Sequence, residues 1–173
     1  MTNTALPMIE TERLILRPPK AADNLAYVEF FLSERARYVG RATNRFQAWK
    51  TFAMDAGHWF LHGYGPWVVT RKSSDRAVAS VGCWHPEMFP ERELGWLAFD
   101  GAEGEGIAYE AALAARAHDY ETHGVSTLVS YVHRDNARSI RLAERLGAVV
   151  DPDAPSSDPE DLVYRHPAPE ALA

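Results

Sequence analysis

Three runs rich in strand-forming residues, GPWVVTRK (65–72), RAVASVGCW (76–84) and RELGWLAFD (92–100), follow one another across short turn-rich segments. The last of them passes directly into GAEGEGIAYEAALAARAHDY (101–120). Strands joined by such short turns fit as antiparallel neighbours, because a parallel return needs a crossover of a dozen or more residues. The glycine-spaced turn then converts the chain to a helix. Its alanines, from Ala108 to Ala117, combine high helix propensity with a small-residue face that can lie close to a sheet.

The flanks extend this pattern. Arg13 to Arg17 (RLILR) reads as a short strand closed by Pro18 and Pro19, which cannot continue a regular central strand. Asp23 is placed to cap a helix carrying Leu25, Tyr27, Val28, Phe31 and Leu32 at helical spacing, and a second helix is expected from about Gln47 to His62, ended by Gly63 and Gly65. After the long helix to about His123 come a strand in STLVSYV and a helix from about Asn136 to Leu146, with Gly147 at its end. DLVYRH, an apolar island in a Pro-, Asp- and Ser-rich tail, reads as a final strand. The order predicts an α+β fold with a mixed sheet. With no internal repeat and no linker long enough to divide the chain, residues 1–173 are expected to form a single domain, in which folding buries roughly 70% of the unfolded surface.

Charge and composition narrow the function. A net charge of −6 disfavours a protein built for duplex nucleic acid, which needs surplus Lys and Arg against phosphate. No basic segment leads into an apolar run of signal-peptide length, and no stretch approaches the ~18 apolar residues of a membrane span, so a cytoplasmic location without membrane or nucleic-acid partners is expected. The lone Cys83 rules out an internal disulfide and reads as a small buried hydrophobe, although His85 lies near it in SVGCWHP. His58 and His62 share a helix face at metal-ligand spacing, but Trp59 stands where a metalloprotease helix has its glutamate, and no metal is expected.

Two stretches carry candidate chemistry. A glycine turn feeding a helix start exposes convergent backbone N–H groups and suits an anion. Here Glu103 and Glu105 stand in it beside Gly104 and Gly106, so the turn is either an anion cradle or a surface loop. It has no P-loop Lys-Ser/Thr and no acidic residue at ribose distance. In VHRDNARSIRLAERLGA, Asp135 or Asn136 caps a helix whose buried stripe is Ile140, Ala143 and Leu146. Arg134, Arg138, Arg141 and Arg145 fall on one face, as a solvated row or as cations for the neighbouring turn, with Arg134 and Arg138 nearest the helix start.

Taken in order, TERLILRP, GYGPWVV, ELGWLAFD, EGEGIAYEA and NARSIRLAERLGA resemble the GNAT superfamily of acyl-CoA-dependent N-acyltransferases, in its ribosomal-protein N-terminal acetyltransferase-like (RimJ/RimL-like) branch. The resemblance covers most of the chain. It implies a mostly antiparallel sheet splayed between its fourth and fifth strands, with helices on both faces, and acetyl-CoA as co-substrate. The pyrophosphate would lie on the turn Glu103, Gly104, Glu105, Gly106, Ile107 and Ala108, and the pantetheine along Trp96, Leu97, Ala98 and Phe99. Asn136 matches the asparagine that contacts pantetheine, and Ser139 the small hydroxyl residue beside the sulfur.

The implied reaction moves an acetyl group to a primary amine, either a protein or peptide N-terminus or a small-molecule amine, by direct attack in a ternary complex. Glu93 is the candidate base or a solvated strand-edge carboxylate. The backbone N–H near Leu97 would hold the oxyanion, and Ser139 or a water would protonate the sulfur. Phe30, Phe31, Trp59, Trp84 and Tyr164 are candidates for the acceptor groove or for the core. Two departures stand out: the family usually has Gln or Arg at Glu103 and often Lys or Arg at Glu105, and Ala143 occupies the position of the tyrosine acid many members carry. An acyl-CoA-binding sensor without turnover is the alternative, and a binder unrelated to CoA a third. The family admits homodimers, and no feature of the sequence marks an interface.

Overall fold

A computed structural model describes residues 6–172. One eight-stranded sheet organises them, in the order β1 (Ile9–Glu10), β2 (Leu14–Arg17), β3 (Pro66–Arg71), β4 (Ala77–Trp84), β5 (Glu93–Ala98), β6 (Val129–His133), β8 (Asp161–Arg165) and β7 (Val149–Val150). Every pairing is antiparallel except β5 with β6, which is parallel and has a single registered pair, Glu93 with Val129. The meander foreseen from residues 65–100 is β3–β4–β5. Two-residue β1 and β7 escaped the sequence reading because two residues carry no period. Counted from Leu14, the parting strands are the fourth and fifth, as expected.

The alternation of side chains along the strands decides which helix covers which face. Val68 joins Tyr27, Phe31, Phe52 and Phe99 under α1 (Asn24–Leu32) and α2 (Arg45–His62). Val69, Val81 and Leu94 face the other way, against Ala111, Ala112 and Ala115 of α3 (Ile107–His123). The last helix, α4 (Ala137–Arg145), lies on the α3 side, where Arg116 of α3 donates to the Leu146 carbonyl just past its end at 2.7 Å. The alanine face of α3 allows this close seating on the sheet, and α3 in turn carries the glycine turn at its start.

α2 begins two residues before the expected Gln47. The Asn44 side chain caps it by accepting the Gln47 N–H at 3.0 Å, and Gly63 ends it in a left-handed conformation with φ of 75°. At α1 the expectation fails, since Asp23 makes no side-chain cap there. Its carboxylate is taken by Arg17, with two contacts of 2.8 Å, and by the Lys20 N–H at 2.7 Å, so that it closes a short 3-10 turn ahead of the helix. Arg17 is 4% exposed and also reaches Asp75 at 2.9 Å, which pins α1 to the β3–β4 hairpin. Propensity favours Asp as a cap, but a buried guanidinium is the stronger claimant for a carboxylate.

Removing one partner of a buried pair strands the other charge. Arg17→Ala is expected to lower stability by about 3 kcal/mol in urea unfolding. Lys20→Ala, which removes only an exposed contact to Asp75, is expected to cost less than about 1 kcal/mol.

Candidate active site

The site begins where β5 and β6 part. In β5 the even-numbered residues turn their backbone groups toward β6: the Arg92 carbonyl accepts the Val129 N–H at 3.2 Å, and Phe99, of opposite parity, donates back to Val78 of β4. The next ladder acceptor is the Leu94 carbonyl. It receives no backbone N–H from β6 but the Ser130 hydroxyl, at 2.6 Å. The Tyr131 N–H, the donor a continued parallel ladder would send there, instead helps to stabilise the Glu93 carboxylate. One hydroxyl and one carboxylate thus replace the next rung, and the strands diverge.

A buried chain holds this arrangement. Ser130 Oγ lies 2.9 Å from His166 Nε2, and His166 Nδ1 lies 3.3 Å from the Arg116 guanidinium. Because Ser130 donates its proton to Leu94, it must accept from His166, whose Nδ1 then accepts from Arg116. Burial and the adjacent Arg116 push the His166 pKa down to about 3, so the ring is neutral at physiological pH and this tautomer persists. Glu93 stands at the apex, buried, with Trp84 Nε1 donating to it at 2.6 Å. Burial raises its pKa to about 7, against the lowering effect of the Trp84 and Tyr131 donors.

Beyond the apex, the groups facing the gap belong to Trp96 and Ala98. Leu97 has the parity of Phe99 and faces β4, so of the backbone amides near Leu97 those of Trp96 and Ala98 face the gap. The Trp96 indole spans the gap to Ser139 Oγ at 3.2 Å, which leaves the serine proton available to another acceptor. Asn136, one of two cap candidates, is the cap of α4: its side-chain oxygen accepts the Ser139 N–H at 3.3 Å. Asn136 and Ser139 are therefore fixed relative to one another at the mouth of the gap.

At the wide end, Gly101, Gly104 and Gly106 adopt φ of 74°, 77° and 76°, a conformation strained for any side-chain-bearing residue. Gly106 begins α3 with no side-chain cap, so the first N–H groups of the helix are not taken by a capping residue. The two glutamates are held by arginines from elsewhere in the chain. Arg71 of β3 binds both Glu105 oxygens at 2.8 Å, and Arg35, in the 3-10 turn after α1, pairs with Glu103 and donates to the Ala98 carbonyl at 2.5 Å. Arg13 bonds the Glu105 carbonyl and pairs with Glu110. A groove of about 760 Å³ runs beside the turn, lined by Arg13, Gly104, Gly106, Tyr109 and Arg145, whose guanidinium lies 3.9 Å from the centre of the Tyr109 ring. Open-edge amides, uncapped helix N–H groups and neutralised carboxylates fit a ligand that carries both amides and a pyrophosphate.

Other sequence candidates land elsewhere. Phe30, Phe31, Trp59 and Tyr164 are 7, 3, 2 and 3% exposed and pack in the apolar clusters, while Trp84 is half-buried beside Glu93. Arg134 precedes α4 and bonds the carbonyls of Pro159 and Glu160, tying down the loop before β8; Arg138 stays exposed. Both ring nitrogens of His58 are in use, one near the Tyr64 carbonyl and one accepting the His85 N–H. Cys83 is buried, and burial pushes its thiol pKa well up. Sequence reasoning missed Arg35, Arg71, Ser130 and His166, since single polar residues in apolar or loop segments show no pattern before the strands are aligned.

A parallel strand pair that separates beside a glycine turn and a helix start is the arrangement that the resemblance to the GNAT superfamily implies. Residues 13–149 match the family model described as an acetyltransferase (GNAT) domain, and the chain belongs to that family. A crystal structure of an acetyltransferase from Agrobacterium tumefaciens is similar, with 42% identity, a TM-score of 0.90, and coverage of 96% of this chain and 98% of that one. A putative GnaT-family acetyltransferase from Bordetella pertussis has 25% identity and a TM-score of 0.76, covering 93% and 99%. A putative ribosomal-protein-serine acetyltransferase from Vibrio cholerae, at 20% identity and a TM-score of 0.77 with coverage of 95% and 100%, shares the fold. The fold is thus the α+β GNAT fold.

The raised pKa of Glu93 sets a pH signature. Its folded-state value of about 7 lies above its ordinary 4.5, as does that of Asp55, buried against the Tyr27 hydroxyl and also raised to about 7. The folded state holds protons there that the unfolded chain has already released, so the stability these two groups contribute falls as pH rises through the window from about 5 to about 7. The histidines with lowered pKa, His166 foremost, act in the opposite direction over this range, so the signature is a difference: relative to wild type, Glu93→Gln is expected to lose less melting temperature, or gain more, between pH 5.5 and pH 8. Ser130→Ala, which leaves the buried Leu94 carbonyl unpaired, is expected to cost about 1–3 kcal/mol in chemical denaturation.

Proposed function

We propose that the protein is an acetyl-CoA-dependent N-acetyltransferase that acetylates a primary amine by direct attack in a ternary complex. The observation that carries this reading is Glu93: a buried carboxylate at the apex of the parted strands, with its pKa raised to about 7. A base poised near the working pH suits general catalysis, whereas a binding-only sensor has no need of the cost of burying a carboxylate. Glu93, directly or through a water, takes the proton from the attacking nitrogen as the C–N bond forms. The Trp96 or Ala98 N–H stabilises the oxyanion, and Ser139, or a water it holds, protonates the sulfur as the C–S bond breaks.

The turn from Glu103 to Ala108 would receive the pyrophosphate through backbone N–H groups, with Arg71 and Arg35 offsetting the charge of the two carboxylates. Trp96 to Phe99 and Asn136 would receive the pantetheine, amide against amide as in strand addition. Arg134 and Arg138 were the first candidates for charge compensation at the turn; the pairing of Arg71 and Arg35 with the turn itself supports those two instead.

The acceptor follows from amine chemistry. An α-amine titrates near 8 and a lysine near 10.4, so at pH 7 the α-amine holds roughly several hundredfold more neutral nucleophile and asks less of a base of this strength. A peptide or protein N-terminus and a small-molecule amine both meet that condition, and Trp84, next to Glu93, is the aromatic candidate for contact with either.

Release of free CoA thiol over a panel of amines, including short peptides with varied N-termini and aminoglycosides, tests the proposal. Turnover on at least one amine is expected. Glu93→Gln should lower kcat by about 100-fold while leaving acetyl-CoA affinity within about twofold, with loss of the acidic limb of the pH–rate profile. Acetyl-CoA binding without turnover on any amine would favour the sensor, and no binding at all would favour a ligand unrelated to CoA.

A further inference from the structure

α2 carries two apolar faces. One packs into the core through Ala48, Phe52 and Trp59. The other points outward and holds Phe46, Trp49, Ala53, Gly57, Phe60 and Leu61, which at 3.6 residues per turn fall within an arc of about 120°. Four of these are large and exposed: Phe46 by 65%, Trp49 by 46%, Phe60 by 89% and Leu61 by 74%. Single exposed hydrophobic residues are ordinary, but a contiguous stripe along one helix is not.

The stripe is symmetric about Ala53. In two copies of α2 run antiparallel across a two-fold axis at that residue, Phe46 meets Phe60 of the other copy, Trp49 meets Gly57, and Ala53 meets itself. Bulk faces bulk at the ends, the indole faces the residue without a side chain, and the small central residues let the helix axes approach. The two aromatics at the start of the helix are already ordered as a slab, with Phe46 and Trp49 stacked at a centroid separation of 5.9 Å.

Charge and area agree with this occupant. The one acidic residue of α2, Asp55, is buried against Tyr27, so no carboxylate faces the axis. Lys50, the only charge within the arc, lies over its own Phe46 ring at 5.4 Å, and the antiparallel register brings it opposite Ala56 rather than another cation. Arg45 would sit at the last turn of the opposite helix, where the helix dipole favours a cation. At the surface typical of aromatic side chains, the exposed part of the stripe offers roughly 500 Å² per copy. Both copies together reach the ~1,000 Å² that separates specific interfaces from incidental ones.

We propose that this outward face of α2 is the seam of a two-fold homodimer, in which the second copy of the chain lays its own α2 antiparallel across Ala53. Sedimentation velocity on the full chain should give the mass of two 19.3 kDa chains at tens of micromolar, and Ala53→Arg should weaken association by about tenfold or more with unchanged circular dichroism. Since Cys83 is buried, an introduced thiol reads cleanly: Ala53→Cys should form a disulfide-linked dimer under mild oxidation much faster than Ser73→Cys, a control on the exposed β3–β4 turn. A wild-type monomer at about 100 µM, as expected if another protein or a membrane surface covers this face, would overturn the proposal. So would a dimer untouched by Ala53→Arg, or a cross-linking rate no greater than that of the control. If Ala53→Arg does not fold, the two cysteine variants decide.

Discussion

The architecture of the candidate site depends on one missing rung of a β-ladder. At Leu94 the sheet exchanges an inter-strand amide bond for the Ser130 hydroxyl, and the Tyr131 N–H helps to stabilise the Glu93 carboxylate. Without a replacement donor, a buried Leu94 carbonyl would cost as much as a lost hydrogen bond, and the strands would gain by closing. With it, the parting carries no unsatisfied group at its apex, and the open edge of β5 past Trp96 is left to a ligand. Ser130 holds that place because His166 and Arg116 fix which way its proton points. The chain ends at the carbonyl beyond α4, so the same line of contacts that opens the sheet also seats the helix bearing Ser139.

The wide end of the gap is governed by charge rather than by backbone pairing. Glu103 and Glu105 in an anion cradle would repel a phosphate if their carboxylates faced it. Each instead has its own arginine, Arg35 from the segment after α1 and Arg71 from the far side of the β3–β4 hairpin. These are partly exposed pairs, worth little to stability. Their effect is on local charge, since each pairing offsets one carboxylate of the turn and places a guanidinium group beside it. A chain whose net charge is −6 can in this way keep one locally neutral or positive strip.

What the sequence disclosed, and what it did not, follows from range. Elements with a period of their own were legible: the β3–β4–β5 meander, the alanine face of α3, the Asn136 start of α4 and the β8 island in a polar tail. Residues whose roles depend on a partner distant in sequence were not. Asp23 looks like a helix cap until Arg17 is folded over it. Phe30, Phe31, Trp59 and Tyr164 read equally as groove or core because an aromatic residue looks the same in a core as on a wall; all four are buried, and Phe30 also lines a surface pocket. Leu97 was one residue from the amides that face the gap, a matter of strand parity that only the register with β4 decides. Glu93 and Ser139 could be singled out as candidates because the turn and the helix cap beside them are local signals; Ser130 and His166 have no local signal at all.

The buried carboxylates show why such a site must be held by its surroundings. Glu93 and Asp55 lie under α1 and α2, both with pKa values raised to about 7 by burial, and each is easier to keep as a neutral acid than as an anion. Near neutrality the protein therefore sits in the range where ionising Glu93 would create the proposed base and weaken the fold in one event. Trp84 moderates that conflict by donating to the anion from the neighbouring strand, and the Tyr27 hydroxyl does the same for Asp55. The tight aromatic packing of Tyr27 against Phe52 and Phe99 is then more than core filling, because it holds the hydroxyl that donates to Asp55. A carboxylate of this kind cannot be moved to an exposed edge and keep its pKa, which ties the proposed chemistry to the depth at which β5 and β6 part.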